Sequence, residues 1–188
     1  MSDITKGISV SQINDAVYVR VVGRGTFQNG QPLRRYALEM MERGVQQFIV
    51  DLGDCEGMDS TFLGVLAGMG LKLNQNGRAG QVHVANVGQR NLELLQTLGL
   101  DRLFKLDQPD GKDLRFESPP GAVFQRLPDS DLTQLTQPLN KSDTADLMLE
   151  AHDNLMRADE RNLAKFKDLT TFLREKVDKR GSEGHKDG

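Results

Sequence analysis

Four consecutive residues, Met58-Asp59-Ser60-Thr61, set a carboxylate and two hydroxyls directly before an apolar stretch with helical spacing: Phe62, Leu63, Val65, Leu66, Met69 and Leu73. Ahead of them lie a short apolar run, Phe48-Ile49-Val50, then Asp51-Leu52 and breaks at Gly53 and Gly57. Strand, tight loop and helix in that order put the Ser60 hydroxyl at a helix N-terminus, where unpaired backbone N–H groups and the helix dipole favour negative charge. A phosphate ester on Ser60 would be well placed there and would change any surface built around it. The plainer reading is that Asp59, Ser60 or Thr61 simply caps the helix, since all three are favoured cap residues.

An enzyme would need an activated nucleophile. Cys55 and His83 are the nucleophile and base that could stand beside Ser60, and His83 falls in the middle of a strand pattern. Glu56 and Asp59 lie near Ser60, but no histidine or lysine adjoins it in sequence to activate its hydroxyl. His152 stands isolated on a charged helical segment, and no metal-ligand spacing occurs. Gly23, Gly25 and Gly30 miss the dinucleotide-binding spacing and follow a hairpin. No catalytic residue, metal or cofactor is expected. The single cysteine, Cys55, excludes an intramolecular disulfide and a thiolate cluster for zinc.

The formal charge of the 188 residues is −3, with no concentrated basic patch of the kind a nucleic-acid binder presents. No apolar run approaches the roughly 20 residues needed to span a membrane. Met1 to Lys6 has no apolar core of a secretory signal, so a cytoplasmic protein is expected.

The elements that position Ser60 follow from period and punctuation. Ile8 to Ile13 and Val17 to Val22 alternate about a turn at Asn14-Asp15 and read as a hairpin. Gly23 to Gly30 reads as a loop, Pro32 as a first helical turn, and Leu33, Tyr36, Ala37, Met40 and Met41 as a helix ended by Gly44. A strand over 47–52, a helix from Ser60 to about Gln75, a strand over 81–86, a short helix over 87–98 ended by Gly99 and a last short strand over 103–106 complete one compact domain, residues 6–107. The fold class is α/β, with an initial β-hairpin and a mostly parallel sheet covered by helices. Residues 108–141, carrying Pro109, Pro119, Pro120, Pro128 and Pro138, read as a linker wrapping the domain, with Leu114, Phe116, Val123, Phe124 and Leu127 as anchors. One long amphipathic helix is expected over 142–180, its seam made by Leu149, Met156, Leu163, Phe166, Leu173 and Val177 and interrupted by His152, Asp159 and Thr170. Residues 181–188 read as a disordered tail.

These residues carry a resemblance. The hairpin, the glycine-bearing loop, the strand Phe48-Ile-Val-Asp-Leu52 and above all Met58-Asp59-Ser60-Thr61 opening a helix with Leu63-Gly64-Val65-Leu66 resemble the STAS domain of bacterial anti-sigma factor antagonists. Two positions depart from that family's pattern: Phe62 stands where glycine usually follows the hydroxyl pair, and Thr26 falls nearest the place of a loop acid. The resemblance implies Ser60 as phosphoacceptor and partner switching. The unmodified chain would bind an anti-sigma factor with serine kinase activity, phosphorylation would abolish binding, and a metal-dependent serine phosphatase would restore it. Thr26, Phe27, Met58, Asp59, Thr61, Phe62 and Asn86 are the residues expected to shape the acceptor site or face the partner, Phe62 alternatively burying as core. A second reading is an unphosphorylated STAS scaffold, or a subunit of a signalling or transport complex, assembling with itself or another protein through the C-terminal helix. A third is that this helix covers the Ser60 surface until a ligand or partner releases it.

Overall fold

The computed structural model describes residues 6–75, 80–107, 116–127 and 141–183. The chain opens with the expected hairpin, β1 (Gly7–Ile13) and β2 (Ala16–Gly25), whose antiparallel ladder runs from Gly7 opposite Val22 to Ile13 opposite Ala16. Asn14 makes the turn at φ 52°, a left-handed conformation that asparagine tolerates better than most residues. After α1 (Phe27–Glu42), strands β3 (Gln47–Asp51) and β5 (Gln81–Ala85) extend the sheet in parallel, β3 beside β2 and β5 beside β3. A two-residue strand β6 (Lys105–Leu106) closes that edge, and β7 (Gln125–Arg126) closes the other against β1. The spatial order is β6-β5-β3-β2-β1-β7, with β4 (Cys55–Met58) paired to the end of β2. Sequence reading missed β4 because it is short and carries Glu56 and Gly57 in place of an apolar alternation.

The predicted loop over 23–30 is nearly absent. β2 continues to Gly25, α1 begins at Phe27, and Thr26 alone lies between them. Gly23, at φ 82°, sits at the register shift in the β2–β4 pairing, so the glycine there marks a bulge within a strand. The early start of α1 leaves Pro32 in its second turn rather than its first.

Alternation along β2 decides the layers. Val17, Val19 and Val21 are buried toward the helices, together with Phe48, Val50, Val82 and Val84 of the neighbouring strands. α1 and α2 (Ser60–Gln75) pack on that face, and the short helix α3 (Gln89–Thr97) follows β5. Tyr18 and Arg20 point the other way, where the 116–127 segment crosses the sheet: Phe116 stacks on Tyr18 with centroids 6.2 Å apart, and the Arg20 guanidinium lies 4.3 Å above the Phe124 ring. Phe116, Phe124 and the buried Leu127 are anchors as expected; Val123 is exposed, and Leu114 lies outside the described residues.

The C-terminal helical segment is present but divided, as α4 (Lys141–Ala158) and α5 (Leu163–Glu183). Asp159 breaks it with extended backbone at φ −151°, ψ 125°, and its carboxylate accepts the Arg161 N–H at 2.9 Å to start the next turn. Residues 181–183, read as tail, finish α5, and 184–188 lie outside the described residues. The expected seam is also redrawn. Leu163 is exposed, whereas the residues counted as interruptions, His152, Asp159 and Thr170, are all buried, and each has a hydrogen-bond partner.

Candidate functional site

The site is built at the start of α2. The Asp59 carboxylate caps two helices at once, Oδ1 accepting the Phe62 N–H at 2.8 Å at the start of α2 and Oδ2 accepting the Phe27 N–H at 2.9 Å at the start of α1. The Asp59 N–H donates to Gly25 O at 2.9 Å, tying this loop to the end of β2. Thr26 is held next to it, its N–H donated to the Asn29 side chain at 2.8 Å. Asp59 therefore takes the cap role that the plainer reading assigned to the motif, and Ser60, as the first residue of α2, keeps its hydroxyl free of capping.

That hydroxyl has a partner sequence reading did not foresee. Ser60 Oγ lies 3.0 Å from His152 Nε2 of α4. His152 Nδ1 lies 2.6 Å from the Met148 carbonyl, which only accepts, so in the neutral imidazole Nδ1 carries the proton, Nε2 accepts and Ser60 donates. His152 is 2% exposed and lies against the Phe166 ring at 5.0 Å, while Ser60 is half-buried. The histidine that looked isolated is thus brought to the serine across 92 positions of chain. The pair has the form of a base beside a nucleophile, with a backbone carbonyl in the orienting place. The cavities described lie elsewhere: one of about 300 Å³ between α1, α2 and α4, one between α4 and α5, and one at the far end of α2 beside Gly44. Among the described residues no group of three or more metal-ligating side chains occurs, and no helix is long and apolar enough to cross a membrane.

α4 reaches Ser60 because α2 lets it come close. A Cβ on Gly64 would lie 2.2 Å from the Ala151 carbonyl oxygen, and one on Gly68 would lie 2.5 Å from Asn154 Nδ2, so α4 lies with its backbone against Gly64 and the Asn154 side chain against Gly68. Arg34 of α1 clamps the outer edge, pairing with both oxygens of Glu150 at 3.0 and 2.6 Å. α2 is consequently buried on nearly every side, from Thr61 through Ala67. That all-round apolar character, with Gly64 and Gly68 four apart, was the sequence signal for a second cover, since a helix apolar all round is an interior helix.

Several residues expected to shape the acceptor site or face a partner are buried or engaged within the chain. Phe62 is 0% exposed and fills the space beside Gly25, where a Cβ would come within 2.5 Å of the ring. Phe62 and Gly25 thus complement each other, and the aromatic at the departing position belongs to the core. Met58 and Thr61 are buried as well, at 6% and 3% exposure. Asn86, left-handed at φ 53°, spends its side chain on Asp51 at 2.8 Å and on the Phe116 carbonyl and N–H at 2.9 and 2.7 Å, so it anchors the crossing segment. Thr26 and Phe27 remain half-exposed, Phe27 held by its N–H on the Asp59 carboxylate. Cys55 is half-buried, its carbonyl accepting from Asn91, and burial, only partly offset by backbone hydrogen bonding from Gly57 and Gly25, pushes its thiol up from the ordinary value. His83 does not meet Cys55 or Ser60 in any hydrogen bond; its Nε2 lies 2.6 Å from Asp107.

The family model described as "Mlab, STAS domain" matches residues 8–107, over half of the chain. The chain belongs to the STAS-domain family. No curated protein matches it. Among solved structures, a Thermotoga maritima protein described as a candidate anti-sigma factor antagonist is 19% identical over 55% of this chain and 89% of its own, with a TM-score of 0.48. The anti-sigma factor antagonist SpoIIAA in its unphosphorylated form is 16% identical over 56% and 91%, with a TM-score of 0.47. The same protein in its phosphorylated form, described as a Bacillus cell fate determinant, is 17% identical over 56% and 95%, also with a TM-score of 0.47. The STAS domain here is thus residues 8–107, and the crossing segment and the two C-terminal helices lie outside the family match.

Proposed function

We propose that this chain is a phospho-switchable interaction module, an anti-sigma factor antagonist without chemistry of its own. It holds a regulator with serine kinase activity while Ser60 is unmodified and releases it once Ser60 is phosphorylated. The observation that carries this reading is the position of Ser60: first residue of α2, its hydroxyl released from capping because Asp59 does that work. A phosphoserine brings close to two negative charges and three acceptor oxygens. Set beside the Asp59 carboxylate at the centre of a packed interface, it costs about 2–5 kcal/mol in repulsion and desolvation. Such a cost changes affinity by orders of magnitude without any change of fold. Half-exposed Thr26 and Phe27, the latter held by its N–H on the Asp59 carboxylate, complete the surface in this reading. A serine phosphatase resets the switch, and the exchange takes place in the cytoplasm.

The test is the intact mass of the protein from its own cells with phosphosite mapping, followed by capture of the bound regulator on wild-type and Ser60→Asp protein. A phosphate on Ser60 and loss of capture by Ser60→Asp are expected. A Ser60 never modified across growth and stress, with capture retained by Ser60→Asp, overturns the switch.

One observation favours a second reading, a scaffold or complex subunit. The Ser60 hydroxyl is already committed to His152, and α4 already lies along α2. In that reading the C-terminal helices are the assembly surface, and the oligomeric state and partner set would depend on them and not on Ser60.

A further inference from the structure

From the packing of α4 on α2 we infer that α4 is an intramolecular occupant of the partner-binding face, which must leave before Ser60 can be modified or the regulator can dock. This rests on the reading of Ser60 as the switch and adds how the switch is closed. The two surfaces coincide: the α2 face that opens at Ser60 continues through Gly64 and Gly68, and α4 lies along that line with Ala151 over Gly64, Asn154 over Gly68 and His152 on Ser60. A kinase must bring a phosphoryl donor up to Ser60 Oγ, and α4 packs beside that oxygen with the His152 imidazole 3.0 Å away. Once the hydroxyl hydrogen is replaced, Nε2 loses its donor in a site where His152 is 2% exposed, so modification and the docked position of α4 oppose each other.

The way α4 is held suits an element that leaves as a unit. Besides the apolar contacts of Ala145, Leu147, Ala151 and Leu155, its fastenings are polar: the exposed Arg34–Glu150 pair, the hydrogen bond from half-buried Ser60 to buried His152, and a long, buried 3.4 Å contact from Asn154 to the Gly64 carbonyl. Its far end is tied to the domain by Asn162, whose amide donates to Leu98 O at 2.9 Å and Leu155 O at 2.8 Å, and by Lys165 on Thr97 O at 2.8 Å. The partner this face fits is an amphipathic helix with alanine or glycine over Gly64, a hydrogen-bond acceptor at Ser60 and a carboxylate for Arg34. α4 presents the same three features to it.

Amide hydrogen exchange on the full-length chain tests this without any partner or kinase. In the wild type, residues 144–158 are expected to exchange through an opening that leaves β2, β3 and β5 protected, with protection at least about tenfold below those strands. Ser60→Glu, which puts bulk and charge at the His152 position, is expected to lower protection of 144–158 by about tenfold or more again while the strands are unchanged. Glu150→Arg should do the same from the exposed side, and the swapped pair Arg34→Glu with Glu150→Arg should restore protection. If 144–158 exchange only when the strands do, in wild type and both single variants, α4 is a fixed part of the core and the inference falls. A dimer in which a second copy supplies α4 would overturn the intramolecular form. Loss of protection in Ser60→Glu combined with an unmodified Ser60 in cells would instead sink the phosphorylation switch and leave the displaceable helix standing.

Discussion

Replacing Asp59 by alanine removes two hydrogen bonds at once, one at the start of α1 and one at the start of α2. A single cap of this kind is worth about 1 kcal/mol, so Asp59→Ala should cost about 2 kcal/mol in chemical denaturation and speed amide exchange at the starts of α1 and α2. Ser60→Ala, by contrast, removes no cap but leaves buried His152 Nε2 without its donor and should loosen α4 instead. If Ser60→Ala speeds exchange at those two helix starts as much as Asp59→Ala does, the division of labour between these neighbours is wrong. Cys55 illustrates a reading that the surroundings had to supply: near a loop in sequence, it is half-buried in space and its thiol is raised by burial. Because the thiolate is the reactive form, alkylation of Cys55 at neutral pH should run slower than that of free cysteine, and a rate equal to free cysteine would contradict the raised thiol.

Among elements, the α1–α2 junction turns on one complementary pair. A methyl at position 25 would drive into the Phe62 ring, so Gly25→Ala should destabilise the fold by about 1–3 kcal/mol. Adding Phe62→Leu should recover part of that loss, and strictly additive effects in the double-mutant cycle would deny the contact. At the α4–α5 break, hydrogen bonds from Arg161, with its charge and that of Arg102 behind them, hold the Asp159 carboxyl well below the usual carboxylate range. A depressed carboxyl stabilises the fold fully above its unfolded value of about 4 and progressively less as pH falls below it. Thermal unfolding should therefore show an acid loss below about pH 4 that is smaller in Asp159→Asn. An unchanged acid profile in that variant would show that the carboxylate at the break contributes nothing.

For the molecule as a whole, the sheet is covered on one side by helices and on the other by the 116–127 segment, and α4 adds a further layer on α2. Substituting Gly64→Ala tests that layer directly. A Cβ there meets the α4 backbone, which cannot swing aside as a side chain can, so α4 should be forced away while the STAS sheet remains folded. Hydrogen exchange of 144–158 against β3 and β5 would read the separation, and loss of protection in both together would show a single cooperative unit. The sequence by itself determined what local periodicity and punctuation can carry: the hairpin, the parallel strands, the bounds of α2, and Ser60 at its start. These depend on residues near one another in the chain, whose pattern of burial repeats every two or every 3.6 positions. It could not show which side chains meet across distant segments. The His152–Ser60 hydrogen bond, the burial of Phe62 beside Gly25, the capture of Asn86 by Phe116 and the docking of α4 on Gly64 and Gly68 were decided only by the tertiary structure. Each is a close approach between segments far apart in sequence, fixed by the shape of the whole packed chain; the all-round apolar pattern of α2 marks it for a second cover but does not say which segment supplies it.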